Sequence, residues 1–259
     1  MKRVHRIVSA VFLVGLMAAA LILYEYQQRS DDPRTATPLE RTMKSDTLAK
    51  SPLCTILLTG FEPFAGSPEN ASWEGASMLD GRWIAGCRIV AIQLPVVWGK
   101  PLQVLDSEIS NYKPLAVFSF GQAPGNRFTI ETYARNKRGV MPDNDVKMPG
   151  GLTDPNGAEF YKSSNDAVDR LMQTVALNYP LSVSVNAGNY LCEECLYSLE
   201  HLCATKYPHL KVMFCHVPTL GMSTEAGITI TPKYISEFME ALITECMRNV
   251  EPIPYTQKH

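Results

Sequence analysis

The 259-residue chain carries little charge and no excess of either sign. Lys and Arg number 24 against 26 Asp and Glu, a net charge of −2, and charged residues make up only 19%. Nucleic-acid binding relies on a basic surface, so this balance gives no reason to expect such a partner. There is no internal repeat, which sets aside solenoids and arrays. One long uncharged run is present, Ile7 to Leu23. No cysteine follows it closely, so the pattern is not that of a lipoprotein.

That run follows Lys2, Arg3 and Arg6. At about 17 residues it is near the lower limit for spanning a bilayer. Positive charge on its leading side predicts that this end stays in the cytoplasm and the rest crosses. Ala18-Ala19-Ala20 offers a cleavage site, but apolar residues continue through Leu23, which favours an uncleaved anchor over a secreted product. From Glu25 to Ser51 the chain is polar with no apolar period, as expected of a tether. The expected organisation is an anchor or signal segment at 1–24, a linker at 25–51 and one globular domain at 52–259. The domain is expected outside the cytoplasm, periplasmic or extracellular.

Within the domain, strands alternate with helical patterns such as Asp166 to Leu177 and Ser236 to Met247. This is an α/β pattern with a central sheet. Seven cysteines leave at least one thiol unpaired after any intramolecular pairing. Cys54, Cys87, Cys195, Cys203, Cys215 and Cys246 read mostly as buried apolar residues, and their pairing cannot be deduced. Cys192 is different. It follows the alternating Leu181, Val183 and Val185 and the turn Asn186-Ala187-Gly188-Asn189. Leu191, Cys195, Leu196, Leu199 and Leu202 then recur at helical spacing. That puts Cys192 in the first turn of a helix, where unpaired N–H groups and the helix dipole favour a thiolate. His216 closes the apolar strand Lys211 to Cys215, just ahead of Pro218, and is the candidate base. Glu131, beyond the strand Ala116 to Phe120, is the candidate carboxylate to orient it.

Four blocks tie these residues to a family. Thr59-Gly60-Phe61-Glu62-Pro63-Phe64-Ala65-Gly66 with Asn70-Ala71-Ser72-Trp73-Glu74 resembles the opening of pyroglutamyl peptidase I, the pyrrolidone-carboxylate peptidases. Gly121-Gln122-Ala123 leading to Glu131 and Asn136, Ala187-Gly188 with Tyr190-Leu191-Cys192, and Phe214 with His216-Val217-Pro218 follow in the family's order. The resemblance implies a mixed twisted sheet flanked by helices and frequent homo-oligomers. It also implies a cysteine exopeptidase that removes an N-terminal pyroglutamyl residue from peptides through an acyl-enzyme, without metal or organic cofactor. It assigns Cys192 as nucleophile, His216 as base and Glu131 as its partner. Phe61, Phe64 and Tyr190 match the family's ring-binding aromatics, Gln122 its lactam-binding glutamine, and Met141 an aliphatic wall of the pocket.

The chain departs from the family pattern in places. Ala65 replaces a glycine, Arg127 is displaced by one position, and Val140 stands where an arginine is common, with Arg138 nearby. Three other readings stay open on the sequence. Cys192-Glu193-Glu194-Cys195 is also a Cys-X-X-Cys motif, as in an exported thiol–disulfide exchanger. A zinc site from Cys192, Cys195 and His201 lacks an evident fourth ligand. The third is a binding protein that keeps the pocket without turnover.

Overall fold

Thr55–Phe61 forms β1, and every residue after the first is buried. Successive side chains on a strand point to opposite faces, so a strand buried on both belongs inside a sheet covered on both sides. That is where β1 lies in the computed structural model, which describes residues 54–250. Its neighbours β3 (Cys87–Leu94) and β4 (Ala116–Gln122) run parallel to it. The other strands of the seven-stranded sheet are β2 (Trp83–Ile84), β5 (Phe128–Glu131), β8 (Leu181–Ser184) and β9 (Lys211–Val217). The order is β2-β3-β1-β4-β9-β5-β8. β2 opposes β3 and β5 opposes β9, so the sheet is mixed. Beside it, β6 (Tyr133–Arg135) and β7 (Phe160–Lys162) form a small antiparallel pair.

Helices cover both faces. Ile56 and Leu58 of β1 join a core with α1 (Ala71–Ser77), α3 (Val168–Thr174) and α5 (Pro232–Cys246). Leu57 and Phe61 join a second core with α2 (Lys100–Tyr112) and α4 (Leu191–Thr205). The expected helix at Asp166–Leu177 is α3 followed by a 3-10 turn, Val175–Leu177. α5 starts earlier than the apolar period at Ser236 indicates, because Thr231 caps it through the Tyr234 N–H and Pro232 suits its first turn.

Two features shape the upper end of β1. A Cβ on Gly60 would lie 2.6 Å from the backbone of Ser72 and Trp73, so only glycine lets α1 rest on the strand. Asn70 caps α1 by accepting from the Ser72 N–H, and it donates to the Glu62 carbonyl, drawing the 62–70 loop over the strand end. From β1 the chain passes to β3 on one side, and then to β4 on the other. The carboxyl ends of β1 and β4 thus flank a topological switch point, where α/β sheets open a crevice.

Cys54 and Cys87 are joined in a disulfide. Parallel pairing of Thr55 with Arg88 brings them side by side, with Cα atoms 4.7 Å apart, so they are not the unpaired apolar residues their sequence suggests. The apolar run Ile7–Leu23 and the tether to Ser51 lie outside the described residues. Among the described residues, no helix is long and apolar enough to cross a membrane.

Candidate active site

A cavity of about 460 Å³ opens over the carboxyl ends of β1 and β4. All the residues that the family resemblance assigned to the site border it. Phe61, Phe64, Gln122, Met141 and Tyr190 line its walls, with Cys192, His216 and Glu131 together on one side.

Cys192 occupies the second position of α4, after an extended Tyr190 at the N-cap. The N–H groups of Glu193 and Glu194 turn back to the Tyr190 carbonyl at 3.1 and 3.4 Å. Those of Leu191 and Cys192 precede the first carbonyl the helix can offer them, so they remain available at its positive end. The Cys192 sulfur fills the space a side chain at 121 would need: a Cβ on Gly121 would sit 2.7 Å from Sγ, 2.9 Å from Phe214 Cζ and 3.5 Å from His216 Cδ2.

Register places the other two groups. His216 lies opposite Thr129 and Phe214 opposite Glu131 in the antiparallel β5–β9 pair. Side chains two apart on a strand share a face, so Glu131 and His216 meet diagonally. His216 Nδ1 and Glu131 Oε1 are 2.8 Å apart. Burial works against a charge on this imidazole, but the Cys192 sulfur and then the Glu131 carboxylate outweigh it, and the His216 pKa rises to about 10. Glu131 Oε2 is buried with no hydrogen-bond partner. With nothing else to balance it, the carboxylate acts on the imidazole.

The walls are largely apolar and oriented. Tyr190 packs edge-on to Trp98, with ring centroids 5.4 Å apart, and lies 5.9 Å from Phe64. Its hydroxyl donates to the Pro142 carbonyl at 2.9 Å. Burial, with Asp143 and Cys192 adding to it, pushes the phenol pKa up and keeps it a donor. Trp98 Nε1 donates to the Met141 carbonyl, holding the backbone of that half-exposed residue at the rim. Gln122 Oε1 accepts from the Ala71 N–H at 2.7 Å, so its amide nitrogen is left as the pocket-side donor. The sequence carries no signal for Trp98, and Ala71 stood only inside a matched motif with no role assigned. Ala71 acts through its backbone N–H at the start of α1, and Trp98 through its indole N–H to the Met141 carbonyl.

The competing motifs separate in space. Cys195 is fully buried, with its sulfur 3.2 Å from Ser119 Oγ, and burial pushes its thiol pKa far up. It faces the core while Cys192 faces the cavity. His201 contacts Tyr161 and Asp154 instead of either cysteine. Among the described residues there is no cluster of three or more metal-ligating side chains. Arg127 pairs with Glu225 at the surface, and Val140 is exposed.

The family model for pyroglutamyl peptidase matches residues 54–242. Pyrrolidone-carboxylate peptidase from Escherichia fergusonii is 37% identical over 175 residues, covering 66% of this chain and 81% of that protein. Pyrrolidone-carboxylate peptidase 2 from Photorhabdus laumondii is 34% identical over 209 residues, covering 77% and 94%. Among solved structures, pyroglutamyl peptidase I from Bacillus amyloliquefaciens aligns with a TM-score of 0.69 at 26% identity, over 77% of this chain and all of that one. A mutant pyrrolidone carboxyl peptidase from Pyrococcus furiosus aligns equally well, at 29% identity over 76% of this chain.

Proposed function

The chain belongs to the pyroglutamyl peptidase family, and from that premise we propose that it hydrolyses the amide bond after an N-terminal pyroglutamyl residue. The observation that carries this reading is the pairing of a thiol–imidazole–carboxylate group with an apolar pocket whose one carboxylate is already engaged. Among the described residues, Glu131 is the only acidic side chain lining the cavity, and His216 holds it. A free α-ammonium entering there would find no carboxylate that is not already held by His216. Pyroglutamate, a flat neutral lactam, loses nothing by that.

In this reading the lactam ring lies among Phe61, Phe64 and Tyr190, and the Gln122 amide nitrogen donates to its ring carbonyl. A prolyl residue has no such carbonyl and brings a charged amine, so it is rejected twice. The Cys192 thiolate attacks the scissile carbonyl, and the resulting oxyanion is met by the free N–H groups at the start of α4. His216, held by Glu131, accepts the thiol proton, returns it to the departing amine, and then activates the water that releases pyroglutamate. Met141 closes the ring side of the pocket.

The test uses the full-length protein, kept reduced, with fluorogenic pyroglutamyl, glutamyl and prolyl amides. Release from the first alone, stopped by iodoacetamide, is the expected result. No release from folded, reduced protein overturns the reading.

For location we propose a compartment outside the cytoplasm. Besides the charged and apolar N-terminal pattern, the Cys54–Cys87 bond supports it, because such bonds persist where conditions are oxidising.

A further inference from the structure

Two carboxylates follow the nucleophile directly, and both side chains are fully buried. Glu193 and Glu194 have 0% side-chain exposure. Left unpaired, buried anions at this place would cost stability and oppose a thiolate one and two residues away. Each is met by an arginine from the end of β6 or the turn that follows it. The Arg135 backbone N–H donates to Glu193 Oε1 at 2.6 Å, and Nη1 lies 3.3 Å from Oε2. Arg138 places Nε at 2.7 Å and Nη2 at 2.6 Å from Glu194 Oε1. The Gly99 N–H adds a contact to each oxygen of Glu194, at 3.1 and 3.0 Å.

The same segment also grips the other limb of the nucleophile's turn. Arg135 Nη1 donates to Asn186 Oδ1 at 2.8 Å, and Nη2 to the Val185 carbonyl at 2.7 Å. Next to Arg138, Gly139 packs so tightly that a Cβ there would lie 1.8 Å from the Asn189 carbonyl oxygen. Both the strand side and the helix side of the turn are therefore held by residues 135–139.

Resting on the assignment of Cys192 as nucleophile, we propose that Arg135 and Arg138 are positioning residues. They neutralise Glu193 and Glu194 and lock the turn that presents the thiolate. Burial pushes the Glu193 pKa up and Arg135 counters it, which fits an anion that depends on its arginine. The other groups facing Cys192 are His216 of β9, Glu131 of β5, Tyr190 of the turn and Cys195 of α4. None of these is cationic except His216, so the two arginines supply the remaining positive charge.

The test is the pH dependence of iodoacetamide alkylation at Cys192 in the full-length protein, read by mass spectrometry of its peptide. Among the described free cysteines, Cys192 alone is not buried. Arg138→Gln should move the alkylation midpoint up by about one pH unit, and Glu194→Gln should move it down by a similar amount. The double variant should return it to near the parent value. A scaffold role alone would move both single variants the same way, or lower melting temperature with no shift, and either result overturns the proposal. If Arg138→Gln does not fold, Glu194→Gln decides by itself: a downward shift supports the proposal, and no shift or an upward one overturns it. Alkylation needs no substrate. A parent protein that shows these shifts but no pyroglutamyl release would refute the proposed activity and leave the arginine assignment standing.

Discussion

The Cys192 sulfur occupies the place where Gly121 would carry its side chain, 2.7 Å from the position of a Cβ. The nucleophile and the end of β4 thus share one small volume, with Phe214 and His216 at its border. Gly121→Ala should reduce kcat/KM for a pyroglutamyl amide by at least about a hundredfold, because a displacement of about 1 Å disrupts attack geometry. The cost in stability should be about 1–3 kcal/mol, as for other overpacked sites. Kinetics and thermal melting on the same preparation check both.

Cys192→Ala should abolish hydrolysis while leaving the fold intact, read by circular dichroism. Cys195→Ser should leave turnover largely intact, since that sulfur faces Ser119 in the core. A large loss of activity in folded Cys195→Ser would return weight to the dithiol reading.

The raised pKa of His216 makes the site's contribution to stability depend on pH. Below the ordinary imidazole value of 6.5, folded and unfolded chains both hold the proton and the contribution is complete. It is lost as pH rises through about 10. Melting temperature should therefore fall across that interval for the parent. Cys192→Ala and Glu131→Gln should flatten the fall, because each removes a negative partner of the imidazole. Glu131→Gln should also lower kcat by about 10²- to 10⁴-fold, with a smaller change in KM.

Ala65 has φ +52°, a left-handed conformation that costs an L-residue about 1–2 kcal/mol. Ala65→Gly should relieve this strain and, after the added freedom of the unfolded chain, stabilise by about 0.5–1 kcal/mol. Chemical denaturation would show it. A decrease in stability would mean that the Ala65 methyl makes a contact worth more than the strain.

The Cys54–Cys87 disulfide closes a loop with a sequence separation of 33 that includes Phe61, Phe64 and Asn70. Replacing both cysteines by serine should cost about 3–4 kcal/mol by the loop-entropy relation. Non-reducing peptide mapping of protein isolated from its native compartment should recover the Cys54–Cys87 pair. Recovery of both as free thiols would argue against export.

Much of the site was legible because its parts sit where strands and helices change. Cys192 comes after an alternating strand and a small-residue turn, and His216 lies next to the last residue of its strand. Glu131 ends a strand whose partner could not be read, since a β5–β9 pairing across 85 residues leaves no local mark. The carboxylate's reach to the imidazole depends on that register. Gly121 belongs to a family motif, but its role appears only when Cys192 is placed against it. Arg138 stood beside Val140, where the chain departs from the family pattern, and no spacing rule links either Arg135 or Arg138 to Glu193 and Glu194. The disulfide was hidden for a similar reason: it is set by the register of two parallel strands.

The bond between Cys54 and Cys87 also fixes how a mechanical load enters the domain. Tension drawn through the chain ahead of Cys54 is divided between two neighbouring strands at their starting ends. The inner strand β1, which leads to Phe61 and the pocket, does not bear it alone. Because the bond makes β1 and β3 move together, a pull from that side has to shear β1 from β4 before it deforms the catalytic crevice.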